Sequence, residues 1–205
     1  MRYLLAGLGN IGKKRRQLLG DSCVATVDPI VSEASFKNIS DVPIDLYDVA
    51  ILSIPNDQKY CSVKQLLEAG KLVLIDKPLS FTPAQFTEIS HLAESNRCCI
   101  STSYNHRFEP AIIKLKEQLD CELLGTLYRA RFLYGNGTVQ NWIGTWRETP
   151  AGVIEDLGCH LLDLTLFLGI SLYRQFKLFQ ATHFESKETE IGTFGSSDGL
   201  LIYEC

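Results

Sequence analysis

The sequence predicts an α/β protein with two domains: a doubly wound parallel sheet in residues 1–120, and a smaller α+β domain with an open, mostly antiparallel sheet in residues 121–205. Three observations support this fold class. In the first half, short apolar runs alternate with amphipathic stretches, a pattern typical of strand–helix–strand units. A glycine-rich turn follows the first apolar run directly. From about residue 121, charged residues interrupt the apolar runs, as they do in strands with one solvated face.

Five apolar runs are expected to form the parallel sheet, because they are continuous rather than alternating and so suit strands buried on both faces. These runs cover residues 3–6, 23–27, 49–54, 72–75 and 98–102. Three stretches between the runs carry apolar residues at three- and four-residue spacing, which predicts helices. The predicted helices cover residues 11–19, 58–69 and 83–95.

In the second domain we expect three strands and one helix. The first two strands cover residues 127–134 and 176–184, and the third begins at residue 200. The helix covers residues 154–168. One helix cannot cover the apolar face of such a sheet, and covering that face stabilises an association by about 25 cal/mol per Å². We therefore expect a homo-oligomer formed through this sheet, with Phe179 and Ile202 as candidate contact residues.

Composition and charge exclude several classes of protein. With 45% hydrophobic and 21% charged residues among 205, the chain is expected to fold rather than remain disordered. A net charge of -4 leaves no basic surface for nucleic acid, so no nucleic-acid partner is expected. The longest apolar stretch, residues 161–173, contains Asp163 and is shorter than the roughly 20 residues that span a bilayer. No membrane segment and no signal peptide are expected, which predicts a cytoplasmic protein.

The glycine-rich turn has the context of a dinucleotide-binding Rossmann fold. The first glycine permits the tight turn, the second lets the backbone approach a pyrophosphate, and the third allows helix and strand to pack closely. The N-terminus of the following helix then faces the negative charge. The predicted cofactor-binding residues of this turn are Gly7, Gly9, Asn10, Ile11 and Gly12.

The identity of the dinucleotide is predicted from the end of the second strand. Asp28 lies 21 residues after Gly7, where a carboxylate accepts hydrogen bonds from the adenosine ribose hydroxyls. This favours NAD over NADP. The basic run at residues 13–16 admits two interpretations: a solvated helix face, or a contact to a 2'-phosphate, which would allow NADP.

Two further turns follow the third and fourth predicted strands, at the carboxyl edge of the sheet where ligands bind in such folds. One contains Pro55 and Asn56, and the other contains Asp76 and Lys77. We therefore expect these four residues to contact the cofactor.

Five motifs in order resemble the Gfo/Idh/MocA family of oxidoreductases, which includes glucose-fructose oxidoreductase and inositol dehydrogenase. The motifs are the glycine turn, the Pro-Asn turn, Asp-Lys-Pro at residues 76–78, Tyr-Asn-His-Arg-Phe at residues 104–108 and Asp-Leu-Gly-Cys-His at residues 156–160. The resemblance implies a nucleotide-binding domain followed by an α/β domain whose open sheet carries the substrate and often the dimer contact.

The resemblance also implies roles for single residues. Lys77 matches the lysine of the family's Glu-Lys-Pro motif, near the substrate hydroxyl and nicotinamide, although Asp76 replaces the glutamate. Asp156 and His160 match the family's Asp-x-x-x-His pair, in which the histidine is the candidate acid or base. Lys59 stands where the family has a histidine a few residues after the Pro-Asn turn.

The same chemistry follows from the residues themselves. The i, i+4 spacing places Asp156 and His160 on one helix face, and Asp163 follows at i+3, so a carboxylate can orient the imidazole as a general base. Oxidising a secondary alcohol needs a proton acceptor at the oxygen, and a lysine such as Lys77 can steady the developing alkoxide. The alternative interpretations are a solvated loop lysine and a histidine that merely packs in its helix.

Further candidates lie around this predicted centre. Tyr104 and Arg107 are candidate substrate residues, or alternatively part of a hinge and helix cap. Trp142 and Trp146 either stack on a sugar or pack in the core. No metal site is expected, because Cys159 beside His160 lacks a second cluster of ligands.

The predicted function is that of an NAD-dependent oxidoreductase that transfers a hydride between nicotinamide and a hydroxyl or keto carbon of a sugar, cyclitol or nucleotide sugar. Two alternatives stay open because the chain is short for the family. One is a catalytically silent member that binds dinucleotide and acts as a partner or sensor. The other is a truncated gene product.

Overall fold

The computed structural model describes residues 1–135, 143–144, 152–170, 176–182 and 191–205. By its internal packing the chain divides into two compact units, Met1–Ser103 and Tyr104–Cys205. This division precedes residue 120, where the sequence pattern changes. The helix Pro110–Asp120 therefore belongs by packing to the second unit.

The first unit contains the predicted parallel sheet. Its five strands pair in the order β2-β1-β3-β4-β5, and every pair is parallel. The strands are β1 (Tyr3–Ala6), β2 (Cys23–Val27), β3 (Val49–Leu52), β4 (Leu72–Asp76) and β5 (Ile100–Ser103). The doubly wound fold class predicted from the sequence is confirmed.

Three helices connect these strands: α1 (Asn10–Leu19), α2 (Asn56–Glu68) and α3 (Pro83–Ser95). The start of α3 shows how local sequence sets a boundary. Thr82 Oγ1 accepts a hydrogen bond from the Gln85 backbone N–H at 3.2 Å, and the Gln85 side chain accepts one from the Thr82 N–H at 2.9 Å. Such a capping box stabilises a helix by about 1 kcal/mol.

The core of the first unit lies between the sheet and its helices. Leu4 of β1, Leu52 of β3, Val63 of α2 and Ile75 of β4 are fully buried. Because their packing holds the strand ends, it also fixes where the turns at the carboxyl edge begin. No described helix is both long and apolar enough to cross a lipid bilayer.

The second unit contains a four-stranded sheet in the described residues. Its order is β6-β9-β8-β7, in which β6 and β9 are parallel and the other two pairs are antiparallel. The strands are β6 (Ala130–Leu133), β7 (Phe176–Thr182), β8 (Ile191–Ser196) and β9 (Leu201–Glu204). The helices are α4 (Pro110–Asp120) and α5 (Cys159–Phe167).

Strand β8 was not predicted, because two of its six residues are glycines, which are depleted in strands. The structure shows what these glycines permit. A Cβ at Gly192 would lie 2.2 Å from Cγ1 of Ile154, and a Cβ at Gly195 would lie 2.3 Å from the Leu201 carbonyl oxygen. The close packing of β8 against these neighbours therefore requires the residue type that obscured the strand.

The predicted helix over residues 154–168 is also different in detail. Its first turn, Ile154–Gly158, is π-helical, and the α-helix begins only at Cys159. A Cβ at Gly158 would approach the Phe194 ring to 3.1 Å, so this turn lies close against β8. Single π-helical turns inside helices occur frequently at functional sites.

The sheet of the second unit exposes apolar side chains on β7. Leu178 is 59% exposed and Phe179 is 50% exposed. Ile202 of β9, the other candidate contact residue, is less exposed and has intermediate burial. The homo-oligomer inferred from this sheet stays a prediction.

Candidate functional site

The glycine turn after β1 is built from three glycines with different surroundings. Gly7 has a φ of +88°, and a Cβ there would lie 2.2 Å from the Ser53 carbonyl oxygen. A Cβ at Gly12 would lie 1.9 Å from the Gly7 carbonyl oxygen. Gly9, the N-cap of α1, has nothing within 4 Å of a Cβ position. Packing therefore requires Gly7 and Gly12, while Gly9 faces the open space that a pyrophosphate needs at a helix N-terminus.

Asp28, the first residue after β2, is held against this turn by backbone hydrogen bonds. One carboxylate oxygen accepts from the Leu8 N–H at 2.8 Å, and the other accepts from Ile30 and Val31, both at 2.9 Å. Burial alone raises the pKa of Asp28, but the three hydrogen bonds outweigh it and leave the pKa below its ordinary value. The carboxylate is thus ionised and oriented at neutral pH.

The basic run at the start of α1 does not behave as one solvated face. Lys13, Lys14 and Arg16 are exposed, in agreement with that interpretation. Arg15 instead donates to the carboxylate of Asp76 at the end of β4, and both side chains are only about a fifth exposed. Arg15 is therefore engaged by a carboxylate at the end of β4.

The Pro-Asn turn after β3 contributes buried polar atoms. Asn56 Nδ2 donates to Ser80 Oγ at 3.4 Å. Among the residues that the structure describes, no group forms a hydrogen bond with Oδ1 of Asn56, Oγ of Ser53 or the Nε–H donor of Arg15, although all three atoms are buried. Buried polar atoms left in this state are costly unless a ligand or water satisfies them. Together with the space beside Gly9, they fit a polar ligand such as a dinucleotide.

Lys77 follows directly after β4 and is half-buried. The residue beneath this turn is Lys59 of α2, which is only 1% exposed. Its Nζ donates to the carbonyl oxygens of Asp76 at 2.6 Å and Pro78 at 2.7 Å. Sequence reasoning noted Lys59 only as a departure from the family pattern, because a lysine in an amphipathic helix is usually solvated.

In the second unit, three aromatic rings surround His160 of α5, which is 4% exposed. The ring centroid of His160 lies 4.6 Å from that of His106, 5.7 Å from Tyr104 and 6.0 Å from Tyr134, each with an edge-to-face geometry. We call this group the His160 cluster. The structure thus brings together the predicted residues Tyr104 and His160, and adds His106 and Tyr134, which sequence reasoning did not assign to the site.

The phenols of the His160 cluster are neutral at physiological pH. Burial raises the pKa of Tyr104 to about 12, with the charges of Cys159 and Asp163 acting in the same direction. Burial also raises the pKa of Tyr134, and the charge of Asp156 adds to this effect. Both hydroxyls are therefore able to donate a hydrogen bond.

Arg107 and Asp163 form an ion pair that the spacing along the sequence did not predict. Nε of Arg107 donates to Oδ2 of Asp163 at 2.8 Å, and a second guanidinium nitrogen donates to Oδ1. Asp163 is therefore the ion-pair partner of Arg107, and its predicted role beside the imidazole of His160 stays a prediction. Arg107 also lies over the ring of Phe167, 5.6 Å from its centroid. Its role toward substrate stays a prediction.

Replacing Arg107 by Met is expected to lower the free energy of unfolding by about 2 kcal/mol. The change leaves the Asp163 carboxylate, 5% exposed, without its cation, and partial exposure of Arg107 at 40% reduces the usual penalty of about 3–5 kcal/mol. Urea denaturation measures it. Lys116→Met, which removes the exposed ion pair with Asp120, should cost less than about 1 kcal/mol. Equal losses in the two variants would contradict the assignment.

The remaining candidates are placed only in part. Asp156 lies in the π-helical turn, and its predicted role beside His160 stays a prediction. Trp142 and Trp146 lie outside the described residues. In the described part of the chain, no group of three or more His, Cys, Asp or Glu side chains gathers as metal ligands do.

Comparison with known proteins identifies the family. Over residues 1–104 the sequence matches the model of the Gfo/Idh/MocA family, described as an oxidoreductase family with an NAD-binding Rossmann fold. The chain belongs to the Gfo/Idh/MocA family. The resemblance inferred from the five motifs is thereby confirmed.

Two similar curated proteins come from Escherichia coli K12. The uncharacterized oxidoreductase YdgJ is 34% identical to this Gfo/Idh/MocA chain over 127 residues, which are 58% of the chain and 36% of YdgJ. D-glucoside 3-dehydrogenase is 32% identical over 125 residues, which are 59% of the chain and 35% of that protein. The chain therefore spans about a third of the length of these relatives.

Solved structures share the fold over the full length of the chain. An oxidoreductase from Agrobacterium radiobacter, determined in complex with NAD+, L-tartaric acid and magnesium, matches with a TM-score of 0.85. The match covers 100% of this chain and 66% of that chain at 16% identity. At this identity the likeness shows the fold alone.

Proposed function

We propose that this Gfo/Idh/MocA chain is an NAD-dependent dehydrogenase or reductase acting on the CH–OH group of a sugar, cyclitol or nucleotide sugar. The observation that carries the proposal is the open space at Gly9 beside an ionised, fully oriented Asp28. Family membership supports the class of reaction, and the similarity to D-glucoside 3-dehydrogenase supports a polyhydroxylated substrate.

Different residues of the first unit are proposed to bind different parts of the dinucleotide. The N-terminus of α1, reached past Gly9, holds the pyrophosphate, and Asp28 accepts hydrogen bonds from the adenosine ribose. Asn56, whose Oδ1 is buried, supplies an acceptor at the end of β3. When bound, the nicotinamide supplies the hydride acceptor or donor.

The residues of the chain handle the proton. His160 is enclosed by aromatic rings that exclude water, which suits a base that must take its proton from one hydroxyl oxygen. Lys77 places an amine at the carboxyl edge of the first unit, where an amine can steady negative charge that develops on a substrate oxygen. Asp156 is proposed to support His160, with Tyr104 and Arg107 as substrate contacts.

The proposal is tested by assaying the purified chain with NAD+ and NADP+ on a panel of glucosides, inositols and nucleotide sugars. We expect reduced nicotinamide to form with at least one member of the panel, and faster with NAD+. Tight NADH binding without turnover of any compound in the panel would contradict the proposed enzymatic activity. It would favour a catalytically silent protein that binds dinucleotide and acts as a partner or sensor. Failure to bind either reduced dinucleotide would contradict both.

Cofactor choice is expected to depend on Asp28. Its carboxylate repels a 2'-phosphate, so NADH should bind at least about 10-fold more tightly than NADPH, and Asp28→Ser should narrow that ratio. Because the pKa of Asp28 lies below its ordinary value of 3.8, the carboxylate should contribute to this preference at every pH above 3.8 and lose its contribution only as it is protonated at lower pH. Fluorescence titration measures both affinities.

Glu33→Gln is the matched control for Asp28, because it removes an exposed carboxylate from the segment that follows β2. We expect this variant to bind NADH more tightly than NADPH by the same ratio as the wild type. Equal or tighter binding of NADPH by the wild type would overturn the assignment of NAD.

A further inference from the structure

Lys59 has an environment that is rare for lysine. Only 1% of it is exposed, yet it lies on α2, which is otherwise amphipathic and buries Val63, Leu66 and Leu67 on its inner face. Lysines are almost never fully buried unless their N–H groups have acceptors, because the amine loses its hydration. The structure provides those acceptors in two backbone carbonyl groups of one turn.

The two acceptors flank Lys77 on both sides. Nζ of Lys59 lies 2.6 Å from the carbonyl oxygen of Asp76 and 2.7 Å from that of Pro78. One amine therefore ties together the carbonyl groups of the two residues on either side of the residue that carries the proposed catalytic amine. Arg15 adds a third point of attachment, because it holds the side chain of Asp76.

An apolar side chain of similar length would fill the same space without the cost of burying an amine. In some proteins, buried polar groups with all their hydrogen bonds formed add little net stability but favour a single conformation. Asp76 is the last residue of β4 and pairs with Ser103 of β5, whereas Pro78 lies beyond the sheet. Lys59 therefore links the end of the strand to the turn that leaves it.

We propose that Lys59 is a positioning residue for Lys77: its two hydrogen bonds hold the turn at residues 76–78 so that the Lys77 amine is presented in one orientation. This inference rests on the proposed role of Lys77. A misplacement of about 1 Å in a catalytic group costs about 100-fold in rate, so a residue that sets its backbone affects turnover without touching substrate.

The first test follows the turn itself by hydrogen exchange of the whole chain. In Lys59→Met, amides of residues 76–80 are expected to exchange at least about 10-fold faster than in the wild type, while β1 and β3 keep their protection. Two controls lie on the same helix. Lys64→Met removes a surface ion pair with Glu88, and Val63→Ala creates a buried cavity one helical turn from Lys59 without removing a hydrogen bond to the turn.

In both control variants, the amides of residues 76–80 are expected to exchange at the wild-type rate relative to the amides of the rest of the first unit. Faster exchange spread evenly over the sheet in Lys59→Met would mean that Lys59 only stabilises the fold, and would overturn the proposal. Unchanged exchange at residues 76–80 would overturn it as well.

The second test is a double-mutant cycle on turnover, with the substrate that the panel identifies. Lys59→Met is expected to lower kcat by about 10- to 100-fold, the usual effect of losing a supporting contact, with NADH affinity within a few-fold of the wild type. In a Lys77→Met background the same change should lower kcat no further, because the residue it positions is gone. Additive losses would contradict positioning.

The outcomes separate this inference from the proposed function. Normal turnover in Lys77→Met would overturn the catalytic role of Lys77, and the positioning of a catalytic amine with it. Slow turnover in Lys77→Met together with wild-type turnover and exchange in Lys59→Met would leave the proposed function intact and overturn the inference alone.

Discussion

Replacing Lys77 by Met is expected to lower turnover by about 100-fold or more, the scale on which a positioned proton-transfer group contributes. NADH affinity should stay within a few-fold, because the pyrophosphate and the adenosine ribose are held by other residues. His160→Ala should have a similar effect on turnover. Steady-state kinetics with the substrate found in the panel, together with NADH titration, separates the two quantities.

The matched control for Lys77 lies at the other end of the same strand. Lys71 immediately precedes β4 and donates to the Tyr47 carbonyl oxygen at 2.8 Å, at the amino edge of the sheet. Lys71→Met should leave turnover unchanged. If Lys71→Met and Lys77→Met lowered turnover equally, the carboxyl edge would not be the reacting centre.

Gly12→Ala is expected to lower the free energy of unfolding by about 3 kcal/mol and to weaken NADH binding. The added Cβ would meet the Gly7 carbonyl oxygen at 1.9 Å, so α1 must move away from β1. Thermal or urea denaturation measures the loss.

Gly9→Ala provides the contrast within the same turn. A Cβ at Gly9 meets nothing within 4 Å, and its φ of -66° is open to any residue, so stability should change by less than about 0.5 kcal/mol. NADH should nevertheless bind at least about 10-fold more weakly, because the methyl group occupies the approach to the pyrophosphate. Unchanged NADH affinity in Gly9→Ala would contradict the cofactor site.

Much of the first unit could be predicted because its signals are local. A parallel strand covered on both faces is a continuous apolar run, and the five predicted runs coincide with β1 to β5 to within two residues at each end. The second unit was harder to predict. Strand β8 contains two glycines that only its packing against Ile154 and Leu201 explains, and the π-helical turn at Ile154–Gly158 has no counterpart in helical periodicity.

The candidate site shows the same division. Gly7, Gly12 and Asp28 could be predicted as candidates from spacing alone, because a dinucleotide turn is built from consecutive elements. His106 and Tyr134 were missed, because their contact with His160 joins residues far apart in the chain. No periodic pattern reports such a contact.

The sequence by itself determined the strand–glycine turn–helix order, the position of Asp28 and the family, since each depends on residues close together in the chain. Only the tertiary structure decided the partners of the charged side chains. Asp163 pairs with Arg107, 56 residues away, and Lys59 reaches carbonyl groups 17 and 19 residues away. The physical reason is that a buried charge or amine takes whichever complementary group the packing of other elements brings within about 3 Å.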